Sequence, residues 1–479
     1  MTKSWMRFLF WFAQEHVDFR HAEIESLTQL FGIKWNLQPL VHKEQPFWIV
    51  ELPDENSARI IASRSISLRC IIHLWSHASS VTNLHENTRN YIKENFNDVN
   101  HFFSPDKSFK ITVETYNKHF SQKEKIEKIE TFDYLPFRGE VELKTPDVEW
   151  WYIEYYGLNP RDVPPQPFDV LFGRWIVDGQ RNLIKEMSLK KRKFIGNTSM
   201  DTQLSLLMAN QAKVKQGDFV FDPFVGTGSL LVSAAKFGGF VIGADIDYMM
   251  IHAKSRPSRI TQKQREKDES IRANLEQYNC ADRYVDVIVS DFSNPIWNDR
   301  IRFDSIITDP PYGIREATAK IETKISQKPD TRTEDSPHYP STSHYSLANL
   351  YADLLTFAAK HLTMNGRLVC WLPIHNDDYT EDQIPKHPCL KLIANSNQPL
   401  SAATARRLLT YEKVFEVDER SSDESAVILG DFRQRYFEFG EETRKERRMR
   451  RAELREIGRQ EALKRGKTID ENGKVIKNK

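Results

Sequence analysis

Asp309-Pro310-Pro311-Tyr312 follows an apolar run that includes Phe303, Ile306 and Ile307. Proline has no N–H to give to a ladder, so two in succession end a strand there. The strand tip then presents a carboxylate, a run of carbonyls and an aromatic face. Such a cradle accepts two N–H bonds from an amino group, while Tyr312 stacks on the flat ring that carries it. A ring amine is a poor nucleophile because its lone pair is delocalised. Two acceptors, the Asp309 carboxylate and the Pro310 carbonyl, twist it toward tetrahedral geometry and aim the lone pair at an electrophile. No strong base is required, since the proton becomes acidic only after the new bond has formed.

A second group of residues lies upstream. In DPFVGTGSLL, Asp222 to Leu231, a glycine-rich turn joins a strand to a helix. Gly226 and Gly228 let a ligand approach the backbone, and the helix N-terminus behind them offers unpaired N–H groups. The turn lacks the Lys-Ser/Thr of a P-loop and the spacing of a dinucleotide fingerprint. Asp245 at the tip of the second strand is placed to accept both hydroxyls of a ribose. Asp291 at the tip of the third is placed to accept from an adenine amine, with Phe292 covering the ring. Any one of these aspartates also reads as a helix cap. Together they fit a bound nucleoside.

The elements that must hold these tips are five apolar, β-branched runs: FVFD ending at Asp222, GFVIGADI at Ile246, YVDVIVSD at Asp291, FDSIITD at Asp309 and GRLVCWLP at Pro373. Separated by helical stretches, they predict a largely parallel sheet covered on both faces, with ligands beyond the carboxyl ends of its strands. Residues 1–157 instead mix short apolar runs, FWIVEL and FKITVET among them, with polar helical segments, an α+β pattern. MRFLFWFA, Met6 to Ala13, predicts a buried strand rather than a signal segment. SQKEKIEKIETF, from Ser121, predicts a capped helix. Four prolines between Asn159 and Val170 suit an extended connector, placed at 158–188. Residues 189–432 form the second domain and 433–479 a charged tail.

The chain has 479 residues, with 68 Lys and Arg against 67 Asp and Glu, so contact with a polyanion must come from local patches. Lys190, Lys191, Arg192 and Lys193 form one candidate, and the basic stretch Arg444 to Lys467 another, although a solvated face explains either. Cys70, Cys280, Cys370 and Cys389 lie far apart, which points to a reducing compartment and away from a protein-bound zinc. No run approaches the ~20 apolar residues of a membrane span. Two long insertions, Lys254 to Ser270 and Ala317 to Tyr345, follow strand ends and read as loops over the site.

These residues resemble those of class I S-adenosylmethionine-dependent methyltransferases with an amino-methylating D-P-P-Y motif, and more closely the catalytic subunits of tRNA guanosine-10 N2-methyltransferases. LKKRKFIGNTSMD, LSLLMANQA, DPFVGTGSLL, GADIDY and DPPYGIRE carry the likeness, and FDYLPFRGEVELKTPDVEWW resembles the end of a THUMP module. The resemblance implies an α/β, Rossmann-like domain with a mostly parallel seven-stranded sheet, preceded by an α+β THUMP-containing RNA-binding domain. It implies a cytoplasmic enzyme that uses S-adenosylmethionine to methylate the exocyclic N2 of guanosine 10 in tRNA. Asp309, Pro310, Pro311 and Tyr312 would be catalytic. Asp222, Phe224, Gly226 and Gly228 would line the methionine side of the cofactor, Asp245 the ribose, and Asp291 with Phe292 the adenine; Ile246 would also bind the cofactor. Thr198 and Ser199 would lie near the cofactor or cap the next helix. Lys190 to Lys193 would contact RNA phosphates. A small zinc-binding activator would add a strand beside Tyr284 to Phe292. Two other readings stand beside this one: amino methylation of adenine in DNA or RNA, and a non-catalytic tRNA-binding scaffold.

Overall fold

The structure is a computed structural model and describes residues 5–417 except 41, 261 and 323–339, then 427, 429, 432–438 and single positions at 449, 452, 456 and 460. Two seven-stranded sheets account for its architecture. The first is built from β1 (Met6–Phe12), β2 (Asn36–Leu37), β3 (Phe47–Leu52), β4 (Leu68–Ala78), β5 (Phe109–Tyr116), β6 (Val148–Tyr155) and β7 (Asp169–Asp178), in the order β2-β3-β1-β4-β7-β6-β5. All its pairings are antiparallel except β5 with β6. Met6 to Phe12 is the buried strand its composition predicts: Phe8, Leu9 and Phe10 are fully enclosed. The helix Gln122–Glu130 carries a reciprocal cap in which Ser121 and Glu124 each satisfy the other's backbone N–H.

Residues 158–188 are not a plain connector. The prolines stop at Pro167, and β7 then runs between β4 and β6 as a central strand, with Val170 and Phe172 fully buried. The proline-rich stretch lies ahead of the strand, where missing N–H groups do no harm to the ladder.

The second sheet comprises β8 (Phe219–Asp222), β9 (Phe240–Asp245), β10 (Tyr284–Val289), β11 (Phe303–Thr308), β14 (Leu362–His375), β15 (Leu390–Pro399) and β16 (Thr404–Lys413); between them a short ribbon pairs β12 (Ala319–Ile321) with β13 (Thr342–His344). Its order is β10-β9-β8-β11-β14-β16-β15. The first five strands run parallel, and β16 and β15 are antiparallel. All five predicted runs are strands of this sheet, and the order reverses between β8 and β11. That reversal brings the carboxyl ends of β8, β9, β10 and β11 to one crevice. Of the long insertion after β11, residues 323–339 fall outside the described residues, as does nearly all of the basic stretch 444–467. Among the described residues no helix is long and apolar enough to cross a membrane.

The two halves share a polar seam. Asn210, at the end of the buried helix Thr202–Gln211, donates to Glu23 Oε1 at 2.8 Å and to the Arg64 carbonyl at 2.9 Å. Glu23 is itself fully buried and accepts from the Ile66 and Ser67 N–H groups at 2.7 and 3.0 Å and from Ser65 Oγ at 2.9 Å. From the second sheet the enclosed Arg367 reaches Ser26 Oγ at 2.9 Å and Gln29 Oε1 at 2.6 Å. Buried polar groups this fully paired fix one relative placement of the halves.

Candidate active site

The glycine-rich turn works through two different glycines. Gly226 has φ +49°, and a Cβ there would point into open space; Gly228 has φ +72°, and a Cβ would stand 2.6 Å from Ile271 Cγ2. Gly226 therefore leaves room for a ligand. Gly228 serves the turn and the packing of the helix Ser229–Lys236 instead.

Facing Gly226 is a cavity of about 360 Å³ whose lining includes Phe224, Asp245, Ile246, Asp291, Phe292 and Pro311. Asp245 accepts from the Gly226 N–H at 2.8 Å through one oxygen and from the Asp247 N–H at 3.0 Å through the other. Burial pushes its carboxyl up to about 6, against those two backbone donors. Phe224 and Phe292 meet edge to face with centroids 5.0 Å apart, an apolar wall beside the acids. Asp291 lines the cavity too, yet its oxygens already accept from the Ser293 N–H at 2.9 Å and the Ile321 N–H at 2.7 Å, tying β12 over the site.

Several predicted residues lie elsewhere. Asp222 sits beneath the cavity, fully enclosed, accepting from Thr308 Oγ1 at 2.7 Å and the Phe224 N–H at 3.1 Å. Burial pushes it up to about 8. It joins β8 to β11. Ser199 bonds Thr227 Oγ1 at 2.6 Å within the glycine-rich turn, and Thr198 donates to Glu316, a residue of the cavity wall. Neither caps the following helix. Asp201 does, accepting from the Gln203 and Leu204 N–H groups. In the basic run, Arg192 is no phosphate contact: it is fully buried, donating to Ser229 Oγ at 3.0 Å and the Met187 carbonyl at 3.1 Å. Lys190, Lys191 and Lys193 are exposed, and Lys193 pairs with Asp268 at 2.9 Å.

Asp309 follows β11 and is partly exposed, with burial raising its carboxyl above the usual range and Arg406 opposing that rise. Tyr312 does not lie open as a platform. Its hydroxyl donates to Asp309 and its ring meets Phe432 edge-on at 6.5 Å, so the side chain already engages one oxygen of that carboxylate. Sequence patterning missed Arg406 of β16 and Phe432 of the helix Phe432–Glu438, and gave no role to Glu316, the last residue of DPPYGIRE. Two consecutive arginines in the otherwise apolar TARRLL run were the available signal for the first.

The comparisons with known proteins agree along the chain. Residues 6–181 match the family described as "Tmrp11 THUMP N-terminal domain", and residues 190–329 match "RMKL-like, methyltransferase domain". A chicken (Gallus gallus) protein named tRNA (guanine(10)-N(2))-methyltransferase TRMT11 is 46% identical over 441 residues, covering 90% of this chain and 95% of its own. This chain belongs to that methyltransferase family. The human protein of the same name is 45% identical, with 90% and 95% covered, and the Dictyostelium discoideum one is 34% identical, with 89% and 86% covered. Membership gives the fold a methyltransferase domain behind a THUMP-type N-terminal domain, as the motifs imply.

Proposed function

We propose that this chain transfers a methyl group from S-adenosylmethionine to the exocyclic N2 amine of guanosine 10 in tRNA, giving N2-methylguanosine. The observation that carries this reading is the placement of residues 309–312: Pro311 lines the cavity of Asp245 and Phe292, while Tyr312 lines a separate recess of about 200 Å³ with Gly313, Thr318 and His344. The motif stands between a nucleoside-sized cavity and a second opening suited to a flipped base. When bound, the cofactor supplies an electrophilic methyl on a sulfonium.

The residues present fit that cofactor. Space above Gly226 admits its chain, the Phe224–Phe292 wall suits the adenine, Asp245 suits the ribose hydroxyls, and Asp291 retains lone pairs for the adenine amine. Asp309 and the Pro310 carbonyl accept the two N–H groups of the base and direct its lone pair. Tyr312 gives up its bond to Asp309 as the amine arrives and covers the ring. The N-terminal domain and the exposed Lys190, Lys191 and Lys193 hold tRNA by its backbone. The same family likeness supports a cytoplasmic setting. Mass spectrometry of tRNA from cells lacking the protein tests the assignment: one guanosine methylation, at position 10, disappears, and unchanged tRNA would refute it.

Asp245 gives a further expected result. Asp245→Ala weakens cofactor binding by roughly 1–3 kcal/mol in calorimetry, since a charged acceptor is lost. The free carboxyl titrates at about 6, above its unfolded value, so it is protonated below that pH and accepts hydroxyls poorly. Wild-type affinity therefore falls as pH drops through 6. Flat affinity across that interval would exclude the ribose assignment.

A small zinc-binding activator is proposed to dock on β10. This strand is the sheet's edge and leaves Val285 and Val289 each 46% exposed, too apolar a margin to stay bare. Val285→Arg is expected to lose co-purification of the activator while the N-terminal domain keeps its fold; undiminished co-purification would place the partner elsewhere.

A further inference from the structure

Arg406 lies on β16 opposite Pro373 of β14, and β14 separates it from β11, whose last residue Thr308 pairs with Cys370. From there its side chain reaches back across β14 to the strand tip. Nη1 stands 3.4 Å from Asp309 Oδ2 and 3.4 Å from the Tyr312 hydroxyl oxygen. Nε donates to Gln398 Oε1 at 2.6 Å, and the guanidinium lies 4.0 Å from the ring centroid of the enclosed Trp371. With its side chain only 12% exposed, the group is held by a ring below it and an amide beside it rather than left to solvent. An ammonium on a flexible stem could not stack flat and meet Gln398 at the same time.

We propose that Arg406 is a positioning residue for methyl transfer, its planar cation aiming the Asp309 carboxylate at the incoming amine and keeping it an acceptor. The proposal rests on the reading of Asp309 as the amine's acceptor.

The surroundings of Asp309 show why a cation is needed there. Glu316 on its own loop opposes its ionisation, and Asp222 on β8 beneath it is a second acid within electrostatic range. Tyr312 offers a hydroxyl, and the neutral Tyr351 and Cys370 fill the interior behind. Arg406 favours the charged form from the remaining side. A protonated Asp309 would present a donor to the amine and lose the orientation on which the lone pair depends. The same cation makes Asp309 a weaker base than burial alone would leave it, in keeping with a carboxylate that orients the amine without removing its proton first.

The test is steady-state methylation of unmodified tRNA by the full-length chain, with kcat and both KM values followed across pH. Arg406→Met is expected to lower kcat roughly 10- to 100-fold at neutral pH. Its acid limb moves to higher pH and its cofactor affinity is unchanged. Arg406→Lys, which keeps the charge and loses the stack, retains the wild-type acid limb with part of kcat. Gln398→Leu leaves the cation in place but frees its orientation, so it lowers kcat without moving the limb, and it serves if Arg406→Met fails to fold. An unmoved limb in folded Arg406→Met, or wild-type kcat in Gln398→Leu, overturns the proposal. Asp309→Ala in the same assay separates the two claims: wild-type turnover there removes the Asp309 reading itself, whereas an inactive Asp309→Ala beside an unmoved limb in Arg406→Met removes only the role of Arg406.

Discussion

Asp309→Ala is expected to reduce methyl transfer by at least about 10²–10³-fold, the cost of losing one preorganised polar group at a reacting atom. Cofactor affinity should stay within about twofold, because Asp309 does not line the cavity that holds Asp245 and Phe292. tRNA binding, carried by phosphate contacts and the N-terminal domain, should also persist. Asp309→Asn is the informative companion: it keeps one acceptor oxygen and the volume but removes the charge that Arg406 meets at 3.4 Å. Intermediate turnover is expected for it. Single-turnover rates check both, and a rate for Asp309→Ala equal to wild type would remove the cradle from the account.

The second large effect is on stability. Glu23→Ala is expected to cost roughly 3–5 kcal/mol, because it leaves the Ile66 and Ser67 N–H groups and the Ser65 hydroxyl buried without their acceptor and takes one of two acceptors from the Asn210 amide. Asn210 also receives Arg64 at 3.0 and 3.2 Å, so the loss spreads across the seam between the halves. Urea denaturation should show a lower midpoint, and a destabilisation below about 1 kcal/mol would mean that other acceptors replace the carboxylate. Because the seam fixes how the N-terminal sheet sits on the methyltransferase sheet, the variant should also raise KM for tRNA more than it lowers kcat.

What the residue pattern revealed, and what it hid, follows from how far apart the interacting groups lie. β8, β9, β11 and β14 were legible because strands buried in the sheet are runs of apolar, β-branched residues, and β10 shares that composition although it is the partly exposed edge; the strand tips carry the acids that a parallel sheet brings to one crevice. Gly226 and Asp245 were legible for the same reason, being one strand apart at a 2.8 Å contact. β7 was hidden by the prolines just ahead of it. Arg192 was hidden inside a run of lysines: charge on a string of residues does not tell which member turns inward to Ser229. The tie from Asp291 to the insertion was hidden too: a backbone N–H thirty residues later returns to one of its oxygens, leaving the remaining lone pairs for an adenine amine. Arg406 is the clearest case. Its partner Asp309 is 97 residues away, and only the antiparallel return of β16 beside β14 puts the two together.

The most direct measurement uses one tRNA prepared in two forms, with guanosine or with inosine at position 10, and maps methyl groups by mass spectrometry after reaction. Inosine keeps the ring and its carbonyl but has no exocyclic amine. Methylation of the guanosine form at that base, with none on the inosine form and undiminished inosine-tRNA binding, is the predicted result. A methyl group on inosine 10, or one placed with equal efficiency at another residue of the guanosine form, would contradict the account.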